Sequence, residues 1–296
     1  MVDRAPGSPH AGAMLSRWAS PEFSTDWGTR DIGNRTSFYD PISYHQGSVW
    51  PLFTGWVSLA EYRAGRALAG YQHLMQNAGL TWSQDLGAVT ELLSGEFFQP
   101  LGRSSSHQVW SSAMVIAPAL YGLFGLDWDA LHRTLRLSPS LPVAWDTAHL
   151  RNVPLGDLRI DLDFAWQGGR LIITAKSASS EFCLAPQTAP RDRDCSGSGS
   201  SRRELVLPLP AVEAGVPGGL PLPGSRTTNL KVIGEHLEAN RYALELEAPG
   251  GSEYQLPLRF NRPGVRTSGA EVAGSSLRVR FPAGEGYMRA SVAFTW

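Results

Sequence analysis

Apolar residues recur every three or four positions from Leu52 onward. Leu52, Phe53, Trp56, Val57, Leu59 and Ala60 form one stripe, which predicts an amphipathic helix facing a core. Ser48 near the cap and Pro51 in the first turn mark its start. A second helix is predicted over about 67–77, with Leu68, Tyr71, Leu74 and Met75 on one face and Gly79 ending it. A third predicted segment, 86–98, is apolar but interrupted by Gly87 and Gly95. The fourth, about 107–124, is apolar almost all round despite Pro118, the pattern of a helix buried on most sides.

The period changes to two from about Leu135. Leu158, Ile160, Leu162, Phe164 and Trp166 alternate with Arg159, Asp161, Asp163 and Ala165. Gln167-Gly168-Gly169 then turns the chain, and Leu171, Ile173 and Ala175 resume the alternation, which predicts a hairpin. Further strands are predicted at 205–209, 242–246, 254–260, 277–281 and 288–296, and together they suggest an antiparallel sandwich. Residues 188–203 are mostly Ser, Gly, Arg and Asp, the composition of an exposed, mobile loop. The predicted organisation is a helical part over 1–137 and a β-sandwich over 138–296. Nearly fifty aromatic-rich, loop-like residues precede the first predicted helix, which marks the helical part as incomplete on its own.

The 296 residues carry 26 Lys and Arg against 27 Asp and Glu, a net charge of −1. That balance speaks against nucleic-acid binding through bulk positive charge. No apolar run has the ~20 residues of a membrane span, and Met1 to His10 lack the apolar centre of a signal peptide. A cytoplasmic chain without membrane contact is the default expectation. Cys183 and Cys195 allow one bridge or two free thiols. The histidines have no metal-ligand spacing, and no phosphate loop or Gly-x-Ser-x-Gly elbow occurs, so neither metal nor cofactor is expected. Asn34-Arg35-Thr36 fits a glycosylation sequon, which matters only on a eukaryotic secretory route.

Tyr44-His45-Gln46-Gly47-Ser48-Val49-Trp50-Pro51 resembles the Tyr-His-x-Gly-Ser-Val-Trp-Pro motif of glycogen-debranching-type glucosidases, which are similar to glucoamylases. Glu91-Leu92-Leu93-Ser94-Gly95 resembles that family's Pro-Glu-Leu-Phe-x-Gly segment, with Thr90 in place of the proline. His107-Gln108-Val109-Trp110-Ser111-Ser112-Ala113 resembles the run that opens a late helix, and Asp26-Trp27-Gly28-Thr29-Arg30 a loop facing the active site. The resemblance covers roughly residues 14–165. It implies an α+β chain: the late helices of an (α/α)6 toroid followed by a β-sandwich. It further implies the C-terminal part of an inverting hydrolase of α-glucan-like oligosaccharides or polysaccharides. The general acid would lie elsewhere, and the N-terminal part of the barrel would be a partner. The isolated chain is then expected to be inactive and prone to aggregate.

Inverting hydrolysis uses one carboxyl to protonate the leaving oxygen and another to activate water. The resemblance makes Glu91 the general base, with Thr90 and Ser94 as small polar neighbours and Gly95 giving a sugar access to backbone. The plainer alternative is a solvated carboxylate on a helix surface, and Glu96 is the fallback. His45, Trp50, Asp26, Arg30, Gln46 and Trp110 are the candidate sugar contacts. An imidazole hydrogen-bonds hydroxyls and an indole stacks on a pyranose face. Trp50 equally suits core packing, Asp26 and Arg30 equally suit a mutual ion pair, and Gln108 and Trp110 suit packing at a helix start. His73 and His132 read as ordinary core or surface histidines. Two other functions remain open. A phosphorylase would need phosphate and no base at Glu91. A carbohydrate-binding or structural module would need no catalysis, and Trp145 and Trp166 serve it as well in a core as on a surface.

Overall fold

A computed structural model of the chain describes residues 9–190 and 200–296. Four helices occur among them: α1 (Pro9–Ala19), α2 (Pro51–Arg63), α3 (Ala67–Leu80) and α4 (Val109–Pro118). Pro51 occupies the first turn of α2 after an extended Trp50, while Ser48 Oγ donates to Tyr44 O instead of capping the helix. The helices pack closely through small residues. A Cβ on Gly55 of α2 would lie 2.3 Å from Met114 of α4, and Tyr62 fills the space left by Gly70 and Gly122. Pro118 has no N–H to give Met114 O, the carbonyl four residues back. That oxygen accepts instead from Asn77 Nδ2 of α3 at 3.2 Å, and the same amide reaches Pro51 O at 2.7 Å. After Pro118 the chain widens into a π-turn at Ala119–Leu123.

Two β units follow. In the first, β1 (Leu126–Asp129), β2 (Thr134–Leu137) and β6 (Cys183–Pro186) form a small sheet in which β2 and β6 are parallel. It shares a core with an antiparallel sheet in the order β3 (Thr147–Leu155), β4 (Leu158–Gln167), β5 (Arg170–Ser177), β7 (Arg202–Pro208). Leu158, Ile160, Leu162 and Phe164 point into that core, and Gly168 and Gly169, both at positive φ, make the tight turn to β5.

The second unit has two antiparallel sheets. One pairs β8 (Val212–Ala214), β11 (Glu253–Phe260), β14 (Ser276–Arg280) and β13 (Glu271–Ala273). The other pairs β9 (Lys231–Leu237), β10 (Arg241–Pro249), β15 (Tyr287–Thr295) and β12 (Arg266–Ser268). Their facing side chains share one core, and α3 joins it to the first through Tyr71, which packs against both.

The expected late-toroid architecture is not formed. Strands make up 36% of the structure and helices 19%, in four short elements. Residues 86–98 supply the clearest reason: they are not helical. Gly87 adopts φ +83°, and Leu93 exchanges backbone hydrogen bonds with Val49 at 2.9 and 3.0 Å. The aromatic lead-in is likewise organised, by α1 and by bridges from Ser24 to Thr29 and from Arg30 to Val49. The chain on both sides of 137/138 contributes to one core, because β2 pairs with β6. Cys183 is disulfide-bonded. Cys195 and most of the loop expected over 188–203 lie outside the described residues. No helix of the described residues is long and apolar enough to cross a membrane.

Candidate functional site

Glu91 sits in an extended loop, not on a helix, and is 8% exposed. Its Oε1 accepts a short hydrogen bond from the Tyr44 hydroxyl, and Oε2 lies 3.4 Å from the Ser105 backbone N–H. The Glu91 N–H donates to Ser105 O at 2.8 Å, which fixes the residue in register. The contact raises the Tyr44 pKa, first through the hydrogen bond to Glu91 and then through burial, so the phenol stays protonated as a donor. Thr90 hydrogen-bonds Ser104 Oγ at 2.8 Å, and that oxygen accepts from Leu92 N at 2.8 Å. The residue in the proline's place therefore braces the loop.

Tyr44 also meets an aromatic ladder. The His45 and Trp50 rings stack with centroids 5.4 Å apart, Trp50 and Phe53 with 5.3 Å, and Phe53 and Trp56 lie 5.5 Å apart. Tyr44 stands edge-on to His45 at 4.6 Å and to Trp50 at 5.1 Å. Trp50 is only 6% exposed, so it is the packed centre of the ladder. The accessible members are His45 and Trp56.

Two glycines bring the motif and the Glu91 loop together. A Cβ on Gly95 would lie 1.9 Å from Gly47 O, and Gly47 itself adopts φ +146°. Gly95 is thus required by the crossing of two backbones, which accounts for it without a bound sugar. Ser94 Oγ accepts from the N–H groups of Glu96 and Phe97, closing the turn.

Asp26 and Arg30 are placed elsewhere, and they do not pair with each other. Asp26 is buried against Lys231, 2.6 Å away, and accepts from Thr227 Oγ1 and the backbone N–H groups of Thr228 and Asn229. Burial pushes its carboxyl up, but the Lys231 ammonium and these hydrogen bonds outweigh it and hold the pKa below the usual range. Arg30 is buried, donates to Gly95 O at 2.7 Å and Pro21 O at 2.9 Å, and lies over the Tyr39 ring. Both residues build the scaffold beneath the loop. Gln46 is exposed and accepts from Ser43 Oγ at 3.3 Å. Trp110 is exposed on the first turn of α4, and among the described residues no ring contact links it to the ladder. Gln108 caps α4 through Val109 N. Glu96 pairs with Arg226 at 2.9 Å. His73 is buried and His132 bonds Asp129 at 2.8 Å.

Asp31 was not singled out from the sequence. Its half-buried carboxyl faces the backbone N–H groups of Gly47 and Ile32 beside His45, and its pKa is raised, chiefly by burial. Tyr44 lay within the recognised motif, but only the folded chain shows its hydroxyl on Glu91. No group of three or more potential metal ligands occurs among the described residues. No family model matches the chain, and no curated protein matches its sequence.

Proposed function

We propose that this chain supplies the general-base side of an inverting glycoside hydrolase acting on α-glucan-like oligosaccharides, with Glu91 as the base. The observation that carries the reading is the Tyr44–Glu91 hydrogen bond beside the His45–Trp50 stack, which joins the two sequence segments that resemble the glucosidase motifs. Tyr44 holds the carboxylate in place, and the exposed His45 carries a ring nitrogen able to bond a hydroxyl. The acid comes from a partner segment outside these residues. A non-catalytic binding role is favoured by one fact: both Glu91 oxygens already have protein partners.

α-Glucosyl fluoride separates these readings, because fluoride departs without protonation. Water adds to C1 as its proton passes to Glu91, the C–F bond breaks, and β-glucose is released. The isolated chain is expected to release fluoride above the spontaneous rate while leaving maltose intact. Glu91→Gln should slow that release at least about 100-fold. Spontaneous-rate release by the wild type, or equal rates in both proteins, refutes a base at Glu91.

The partner would cover a surface that the chain leaves open. Trp56 on α2, Val109, Trp110 and Ile116 on α4, and Tyr121 in the following turn are all exposed. Exposed apolar groups of this size mark interaction surfaces. The isolated wild type is expected to self-associate in size-exclusion chromatography with light scattering, and Trp56→Glu combined with Ile116→Glu should restore a monomer. A monomeric wild type at the same concentration would argue against a covered face.

A further inference from the structure

A cavity of about 330 Å³ lies between the two β units and beneath α3, lined by none of the residues around Glu91. Its size is at the lower end of the 300–1,000 Å³ range of small-molecule sites, which favour such junctions. Tyr71 of α3, the Ser140–Trp145 segment and Trp166 of β4 form its aromatic and apolar walls. Glu213 of β8 and Arg259 of β11 form its polar end.

The polar end is held by a chain of hydrogen bonds. Trp166 Nε1 donates to Asn261 Oδ1 at 3.2 Å, and Asn261 Nδ2 donates to Glu213 Oε2 at 2.7 Å. The Arg259 guanidinium lies 4.6 Å from the Trp166 ring centroid, bonds Asp146 at 2.6 Å and approaches Glu213 to 3.9 Å. Second-layer contacts of this kind fix side chains before a ligand arrives. Among the described residues, Glu213 Oε1 and Arg259 Nε make no hydrogen bond.

We infer that this cavity is a saccharide-binding site for one or two pyranose rings, separate from Glu91. An ionised carboxylate only accepts hydrogen bonds and a guanidinium only donates them. A ligand that satisfies both at adjacent positions must donate and accept side by side, as a vicinal diol does. The one guanidinium at this end is already shared by two carboxylates, Asp146 and Glu213, so it has no charge to spare for an anionic ligand, and an uncharged one adds no further charge to a half-buried site. Trp145, exposed at the rim, offers an indole to the apolar face of a sugar ring. A purely apolar ligand would bury Glu213 Oε1 and Arg259 Nε without partners, at a cost.

Isothermal titration of the full chain with maltose and with cellobiose tests this site. At least one of them is expected to bind the wild type. Glu213→Gln, which keeps an acceptor for Asn261, and Trp145→Ala, at an exposed position, should each weaken that binding about tenfold or more, with unchanged circular dichroism. Sugar held only beside Glu91 would survive both cavity variants, so the two variants tell this site from that one whatever becomes of the hydrolase reading. The proposal is overturned by the absence of binding of both sugars, or by binding that Glu213→Gln and Trp145→Ala leave intact. It is equally overturned if phenylalanine, a zwitterion that matches the same charged pair, binds in their stead.

Discussion

Asp26→Ala is expected to cost about 3–5 kcal/mol of folding stability. Asp26 and Lys231 are 205 residues apart in sequence and 2.6 Å apart in the structure, with both side chains fully buried. Lys231 also donates to Thr25 O at 2.7 Å, while Asp26 collects the N–H groups of Thr228 and Asn229. The pair therefore fastens the loop after α1 to the start of β9. Removing the carboxylate leaves an ammonium without its counter-charge and two backbone donors without an acceptor. A water-filled gap relieves only part of that. The pair as a whole contributes far less than its disruption costs, because burying two charges consumes most of their attraction. Asp26→Asn with Lys231→Met should accordingly recover much of the loss. Urea unfolding of the three variants checks this, and a loss below about 1 kcal/mol for Asp26→Ala would show that the staple does not hold the units together.

Long-range pairs of this kind explain what could and could not be read from the sequence. The strands β4, β10, β11 and β15 are legible because each buries alternate residues, a signal complete within a few positions. β2 and the first five residues of β9 are buried at every position, so they show no period of two. The 86–98 segment has the apolar content of a helix, but the pairing of Leu93 with Val49, 44 residues earlier, decides its course. The same reason misplaced Asp26 and Arg30. Their residue types suit a sugar site, whereas their burial against Lys231 and Gly95 appears only once the chain has folded. Glu91, Tyr44, His45 and Trp50 converge because their two short segments are fixed to each other through Val49–Leu93 and Gly47–Gly95.

Stability should be greatest near about pH 4.5 and fall on the alkaline side by an amount on the order of 5 kcal/mol by pH 9. Glu61 of α2 is buried beside Arg66, 2.7 Å away, and within the field of Glu235, which the Tyr242 hydroxyl contacts at 2.8 Å. Burial outweighs Arg66 and pushes the Glu61 carboxyl up to about 8, with Glu235 adding to the rise. Burial likewise lifts Glu235 to about 7 against the hydrogen bonds from Tyr242 and Leu68. Both groups hold their protons more tightly when folded than unfolded. Their contribution is complete below the ordinary glutamate value and is lost as pH rises through about 7 and then about 8. His73 has the opposite sign. Fully buried with Nδ1 at 2.8 Å from Ala69 O, it is depressed to about 4, chiefly by burial, so folding is penalised as pH falls from 6.5 through that value. Between about pH 4.5 and 6.5 the two glutamates together outweigh the histidine, so the maximum lies at the acid end of that window. Glu61→Gln keeps an oxygen facing Arg66 and removes the proton, so it should flatten the alkaline limb to the part that Glu235 supplies near pH 7. Urea midpoints measured from pH 5 to 9 decide the matter. An alkaline limb equally steep in Glu61→Gln would place the titrating group elsewhere in the fold.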